Sequence, residues 1–135
     1  MTDRLSQIRR SANMSAVRGK DTKSEMIVRR LVHGMGYRYR LHCKELPGSP
    51  DLVFRSRRKA IFVHGCFWHQ HKGCRRAGKP QSNAGFWTVK LDGNAARDAE
   101  QLKALKKKGW RVLVIWECEI KNNDELRTRL RRFLG

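Results

Sequence analysis

Apolar positions do not recur with any period over residues 1–20, where Arg4, Arg9, Arg10, Arg18 and Lys20 stand instead. That stretch reads as a basic arm with at most short helical turns. Thr22-Lys23-Ser24-Glu25 then has the form of a capping box, so a helix starts there. Ile27, Leu31 and Met35 continue it at helical spacing until Gly34 and Gly36 stop it. Tyr37 to Leu41 alternates apolar and basic residues, as a half-buried strand does. Pro47-Gly48 predicts a turn, Asp51 to Phe54 a short strand, Arg55 to Arg58 a basic hairpin loop, and Lys59 to His64 the returning strand. Residues 65–83 form an irregular loop, after which Ser82 or Asn83 caps a short helix carrying Phe86, Trp87 and Leu91. A second, longer helix is expected from Asn94 to Lys108, presenting Ala95, Leu102 and Leu105 and ending at Gly109. Trp110 to Trp116 is nearly continuous in apolar character, the pattern of a strand covered on both faces. Asn122-Asn123-Asp124-Glu125 caps a final helix with Leu126, Leu130, Phe133 and Leu134 inward.

The order α, β, β, β, α, β, α contains one step long enough for a right-handed parallel crossover, from strand 59–64 through the long helix to strand 110–116. It predicts an α/β domain, a mixed central sheet flanked by helices, over residues 21–135, preceded by the arm at 1–20. The chain of 135 residues and its 39% hydrophobic content suit one domain with one modest core. The longest purely apolar run, Val112 to Trp116, is far short of the ~20 residues that cross a bilayer, which excludes a membrane-spanning helix.

Charge changes the picture. Against 12 acidic residues stand 31 Lys and Arg, a net +19. Self-repulsion of that size is costly in a compact domain, and a polyanionic partner explains it better than a merely solvated surface. Nucleic acid fits better than a membrane, because the one strongly basic helix is the short C-terminal one and lacks a Trp-anchored face. The arm and that helix would supply sequence-independent phosphate contacts. The N-terminus has no apolar signal region, so a reducing compartment is expected, in which four cysteines are thiols or metal ligands.

Two constellations carry candidate chemistry. Cys66, His71 and Cys74 lie within nine residues, and Cys118 follows the last strand. Three thiolates and an imidazole make a closed tetrahedral zinc set, which suits a structural rather than a catalytic ion. The alternative is buried thiols beside a surface histidine; ordering so long a loop in a small domain favours zinc, whose binding is worth roughly 10–16 kcal/mol. Cys43 has no such partner and reads as a plain buried thiol. The second constellation sets Asp51 at the head of one strand against Phe62-Val63-His64 at the end of the next. A carboxylate there can hold Mg²⁺, which neutralises phosphate and activates water. An Asp after Pro is also an ordinary turn residue.

The string His64-Gly65-Cys66-Phe67-Trp68-His69, with Leu46-Pro47-Gly48-Ser49-Pro50-Asp51 before it and Trp110 through Cys118 after it, resembles the very-short-patch repair (Vsr-type) DNA mismatch endonucleases. Asn13 through Arg18, Phe86-Trp87 and Asn94 through Asp98 also look like motifs of that family, so the likeness runs in order from about residue 11 to 120. The resemblance implies a restriction-endonuclease-like fold in which Phe62-Val63-His64 replaces an acidic-x-Lys element. It implies a strand-nicking endodeoxyribonuclease acting 5′ to the T of a T·G mismatch left by deamination of 5-methylcytosine. By position, Asp51 and the Val63 carbonyl would hold Mg²⁺, His64 and His69 would orient or deprotonate water, and Glu25 and Asp98 would hold metal-bound waters. Cys66, His71, Cys74 and Cys118 would hold structural zinc. Phe67, Trp68 and Trp87 would wedge into the base stack from the major groove and Met14 from the minor groove. The partner implied is mismatched duplex DNA, with other mismatch-repair proteins, for a bacterial, cytoplasmic monomer acting at the nucleoid and not at a membrane.

Several of these residues have rival roles. Glu25 is the third helical residue of its own capping box, Asp98 lies where a helix favours a carboxylate, and His69 could replace His71 on zinc. Phe67 and Trp68 would ordinarily be core, and Trp87 could pack its helix onto the sheet. His33 and His42 carry no motif support. Two other functions fit the same features: a restriction-like nuclease of undamaged or branched DNA, and a non-catalytic zinc module that binds DNA. A binding module needs none of Asp51, His64, His69, Glu25 and Asp98, which argues against the latter.

Overall fold

The computed structural model describes residues 22–79 and 81–135; the basic arm, with Met14, lies outside the described residues. Helix α1 (Lys23–Gly34) begins where the Thr22 hydroxyl accepts the Glu25 N–H at 3.2 Å. Its buried stripe centres on Val28 and Val32, with Ile27, Leu31 and Met35 flanking it half-buried. The expected stripe is therefore rotated by one residue.

The sheet has the order β1-β2-β3-β4, from β1 (Arg40–Leu41), β2 (Leu52–Phe54), β3 (Lys59–His64) and β4 (Arg111–Trp116). The first three strands are antiparallel, and β3 pairs with β4 in parallel, Ile61 opposite Leu113 and His64 opposite Trp116. Only Arg40 and Leu41 of the expected strand from Tyr37 enter the ladder. Tyr37 and Tyr39 instead pack on the core, where the Tyr39 hydroxyl donates to the Arg29 carbonyl at 3.2 Å.

Alternation sorts the side chains. Leu52, Phe54, Ile61 and Ile115 point to the face covered by α1 and by α3 (Asn123–Leu134), whose Leu126, Leu130 and Leu134 are buried there. Full burial of each such leucine contributes about 1.5–3 kcal/mol. Helix α2 (Ala84–Lys107) covers the other face, burying Leu91 and Leu105. The expected mixed sheet flanked by helices is thus present, with helices on both sides.

Two expectations are corrected. The breaks foreseen between Leu91 and Asn94 do not occur, and α2 runs unbroken through Gly93. A mid-helix glycine costs about 1 kcal/mol against alanine. Buried Leu91 before it and Asn94 after it, the latter donating to the Trp68 carbonyl at 3.2 Å, outweigh that cost. One consequence is that Asp98 sits in the middle of a helix rather than in a first turn. The second correction concerns β4, which lies at the sheet's edge rather than in its interior. Only its Ile115 is buried, and Arg129 of α3 donates to the Val114 carbonyl at 3.4 Å, masking part of the unpaired edge.

Because β2 and β3 are antiparallel, the start of β2 and the end of β3 lie at one end of the sheet and the hairpin Arg55–Arg58 at the other. Gly48, at φ +78, makes the turn that closes the first end. A Cβ there would stand 3.0 Å from both the Phe62 ring and the Gln101 side chain, so the close approach of loop, strand and α2 requires glycine.

Candidate active site

At that first end is a cleft of about 300 Å³, lined among others by His42, Asp51, Val63, His64, His69 and Asp98. The Arg58 carbonyl accepts from Arg111 N–H, so residues 60, 62 and 64 turn their backbone groups toward β4 and residues 59, 61 and 63 toward β2. β2 begins at Leu52, opposite Ile61, so Val63 lies beyond it. Asp51 takes the place of a strand partner: its Oδ2 accepts the Val63 N–H at 2.7 Å, and the Val63 carbonyl faces the same side.

Burial pushes the Asp51 carboxyl up from 3.8 to about 7, opposed by the Val63 N–H and reinforced by the charge of Glu25. Glu25 is itself 1% exposed. His42 Nε2 lies 2.8 and 3.0 Å from its two oxygens, and Arg29 donates to it at 3.3 Å. Ligand atoms of Glu25, His42 and Asp51 fall within 4.8 Å of one another. Two carboxylates so close together, with the Val63 carbonyl turned to the same side as Asp51, are hard oxygen donors of the kind a divalent cation takes, and a cation there would relieve the carboxylates' repulsion. His42 is the residue that sequence reasoning left unassigned. The signal was available in the hairpin: pairing residues 37–41 with 51–54 brings His42 beside Asp51, whose carbonyl accepts its N–H at 3.1 Å. His42 also holds φ +45, a left-handed conformation that costs a non-glycine residue about 1–3 kcal/mol and clusters at functional sites.

Across the cleft, His64 and His69 stack face to face, centroids 3.8 Å apart and planes within 5°. His69 Nδ1 lies 2.5 Å from Asp98 Oδ2. A carboxylate only accepts, so that nitrogen carries the proton and Nε2 is the ring's free basic position. Burial and the neighbouring His69 pull His64 down to about 3, so it is neutral in the physiological range. Its Nδ1 is buried with no hydrogen-bond partner among the described residues. Such an orphan costs about 1–3 kcal/mol, a sign of a group arranged for a ligand or water in the cleft. Asp98 and Glu25, expected to hold metal-bound waters, are each engaged by a histidine.

The stretch Cys66–His71 is a tight arch, with His69 N–H donating to Gly65 and His71 N–H to Cys66 at 3.1 and 3.0 Å. His71 Nδ1 stands 3.7 Å from Cys66 Sγ and 3.4 Å from Cys118 Sγ, and all four ligand atoms, with Cys74, lie within 4.8 Å of one another. Ligands of a tetrahedral zinc with bonds of about 2.3 Å to S and 2.1 Å to N are about 3.6–3.8 Å apart, so this set fits a metal. Burial pushes the Cys66 thiol up to about 12, and three clustered thiols cannot all ionise without a cation between them. His71, not His69, faces the thiols, and it stacks on Trp116 at 4.2 Å. A metal here would clamp both ends of the arch that carries Phe67, Trp68 and His69.

The rings of that arch meet α2. Phe67 lies 5.1 Å from Trp68 and 5.5 Å from Trp87, edge-on to both. Phe67 and Trp87 are half-buried, but Trp68 is only 7% exposed, so it supports the cluster from beneath. Phe86, which packs on Trp87 at 5.3 Å and is 60% exposed, carries more free ring surface than any of the three.

Comparison with known proteins accords with this geometry. Residues 2–76 match the family of the DNA mismatch endonuclease Vsr. The chain is 52% identical over 134 residues to the type II nicking enzyme V.XorIIP of Xanthomonas oryzae pv. oryzae, covering 99% of this chain and 98% of that one. It is 40% identical to the type II nicking enzyme V.NmeAIP of Neisseria meningitidis, covering 99% and 95%. To the DNA mismatch endonuclease Vsr of Escherichia coli K12 it is 38% identical over 126 residues, covering 93% and 80%. With relatives aligned along nearly its whole length, this protein belongs to the Vsr family of DNA mismatch endonucleases.

Proposed function

We propose that this endodeoxyribonuclease nicks one strand of duplex DNA 5′ to the T of a T·G mismatch, in a Mg²⁺-dependent reaction that leaves a 5′-phosphate and a 3′-hydroxyl and starts short-patch repair in the cytoplasm. The observation that carries it is the meeting of Asp51, the Val63 backbone, His64 and the His69–Asp98 pair in one cleft. Asp51 and the Val63 carbonyl would hold Mg²⁺, which when bound neutralises phosphate charge and acidifies water. His69 accepts the water proton at Nε2, while Asp98 holds the ring's tautomer and orientation and stabilises the imidazolium that forms. His64, kept neutral, lets its stacked partner take that charge without a second cation against it. Glu25, fixed by His42 and Arg29, tunes Asp51 from behind.

Mismatch selection rests on the aromatic cluster. Opening a base step costs a few kcal/mol, least at a mispair, and each inserted ring returns about 1–3 kcal/mol in stacking. Phe67 and Trp87 wedge, Trp68 buttresses them, and Met14 acts from the opposite groove. Since the base, His69, directly follows Phe67-Trp68 in the arch, structural zinc on Cys66, His71, Cys74 and Cys118 would hold wedge and base in register. The test is cleavage of end-labelled matched and T·G duplexes with randomised flanks, with and without Mg²⁺. A Mg²⁺-dependent nick confined to T·G duplexes is expected, and equal cutting of matched DNA would decide for the restriction-like reading.

A further inference from the structure

The end of the sheet away from the cleft is built from two segments that bring their cations together. The hairpin between β2 and β3 supplies Arg57 and Arg58; the end of α2 and the start of β4 supply Lys106, Lys107, Lys108 and Arg111. They are neighbours in space: Arg111 N–H donates to the Arg58 carbonyl at 2.9 Å, and the Arg58 guanidinium lies within 3.6 Å of where a Gly109 Cβ would stand. All six are exposed, and none forms an ion pair among the described residues. Lys59, at one end of β3, and His64, at the other, are five residues apart, about 17 Å at about 3.3 Å per residue.

Local structure accounts for only part of this charge. Arg57 donates to the Leu134 carbonyl at 2.7 Å and so caps α3. Cations in the last turn of α2 favour its dipole, by about 0.3–1 kcal/mol each, and that effect fades beyond the turn. Arg58, Lys108 and Arg111 are left without such a role. The pole also lacks what a protein partner would grip. The large exposed apolar side chains among the described residues, Phe86 and Val89, are near the other end of α2, and protein interfaces are anchored by buried aromatics rather than by unrelieved lysine. A surface of cations without apolar anchors fits a phosphate backbone, read without regard to sequence.

We infer that this pole is a second, non-catalytic DNA site that holds a separate duplex segment while the cleft holds the substrate, so that the protein bridges two duplexes. The inference rests on the DNA-directed reading above but not on mismatch cleavage. Its chemistry suits transfer between segments, since a backbone contact made before the first duplex is released lowers the cost of moving on.

The experiment loads the protein with one short immobilised T·G duplex in Mg²⁺-free buffer without chelator and adds a differently labelled short matched duplex. Capture of the second duplex is followed over a salt titration. The wild type should retain it at low salt. K106E/K107E/K108E should lose it, with the slope of log affinity against log salt falling by about three, roughly one for each contact removed. The neutral K106Q/K107Q/K108Q, which keeps good helix formers, should weaken capture at an unchanged melting temperature. Nicking of a short T·G duplex in Mg²⁺ should be unchanged in both variants. No ternary complex with the wild type, or capture that survives both triple variants, overturns the inference. Equal loss of second-duplex capture and of short-duplex nicking in a folded variant also overturns it, because the pole then touches the substrate duplex. Displacement of the second duplex by polyglutamate at equal charge concentration would assign the pole to an acidic polypeptide instead. Failure of T·G nicking with capture intact would count against the proposed function alone.

Discussion

Replacing Asp51 with Asn should abolish strand scission and yet stabilise the Mg²⁺-free fold at alkaline pH. Burial and the neighbouring Glu25 raise the Asp51 carboxyl from 3.8 to about 7, so the folded state keeps a proton that the unfolded chain has already released. Between about pH 4 and pH 7 the folded state therefore binds more protons than the unfolded one, and stability falls as pH rises through that window. Above it the ionised group costs the fold about 4 kcal/mol, at about 1.4 kcal/mol per pH unit. Asn removes that cost and can still accept the Val63 N–H, whose stronger bond to the carboxylate is already counted in the net rise to about 7. A net gain of about 4 kcal/mol at pH 8 is expected, shrinking toward pH 5. The assay is urea unfolding at the two pH values in Mg²⁺-free buffer made without chelator, so that a metal on the cysteine cluster would not be stripped. Adding Mg²⁺ at about 100 times its Kd should then stabilise the wild type by about 2.7 kcal/mol and the variant much less. An Asn variant less stable than wild type at both pH values, or stabilised equally by Mg²⁺, would refute the account of a buried carboxylate waiting for a cation.

Metal analysis of purified protein should give one zinc per chain, and Cys118→Ser should lower the melting temperature sharply; a folded, active, zinc-free protein would remove the clamp. Asp98→Asn should reduce single-turnover nicking by about 10²–10⁴-fold with the fold intact, because an amide can also donate to Nδ1, so the tautomer of His69 is no longer fixed and its imidazolium no longer faces a negative charge; an unchanged rate with an unchanged pH profile would assign Asp98 to structure. Trp68→Ala should destabilise the fold by about 3–5 kcal/mol, as expected for a buried ring, and depress cleavage generally. Trp87→Ala should cost about 1–3 kcal/mol on the T·G duplex alone, which parallel binding titrations of T·G and T·A duplexes would show.

Much of this molecule is decided within a few residues of chain. Thr22 caps α1 and Asn122 caps α3 because a side-chain oxygen reaches an N–H three residues on, wherever the rest of the protein lies. The short apolar runs that mark β2 and β3 on either side of a basic hairpin loop, and the crossover length between β3 and β4, are equally local, so the mixed sheet was legible. So was the thiol and imidazole set, because few other uses exist for three cysteines and a histidine in one loop and its neighbouring strand. What the tertiary structure alone decided depends on groups distant in sequence. β4 is apolar enough for an interior strand, but its place at the edge follows from which strands find partners. Gly93 signals a break, but Leu91 and Asn94 are buried by partners that local propensity does not see. Asp98 and His69 are 29 residues apart, Glu25 and His42 17, and nothing along the chain pairs them. Trp68 has the character of a wedge and the burial of a core residue, and only packing against Phe67 and Trp87 distinguishes the two. Capping and periodicity are short-range energies that a sequence displays directly, whereas burial and pairing belong to the folded chain as a whole.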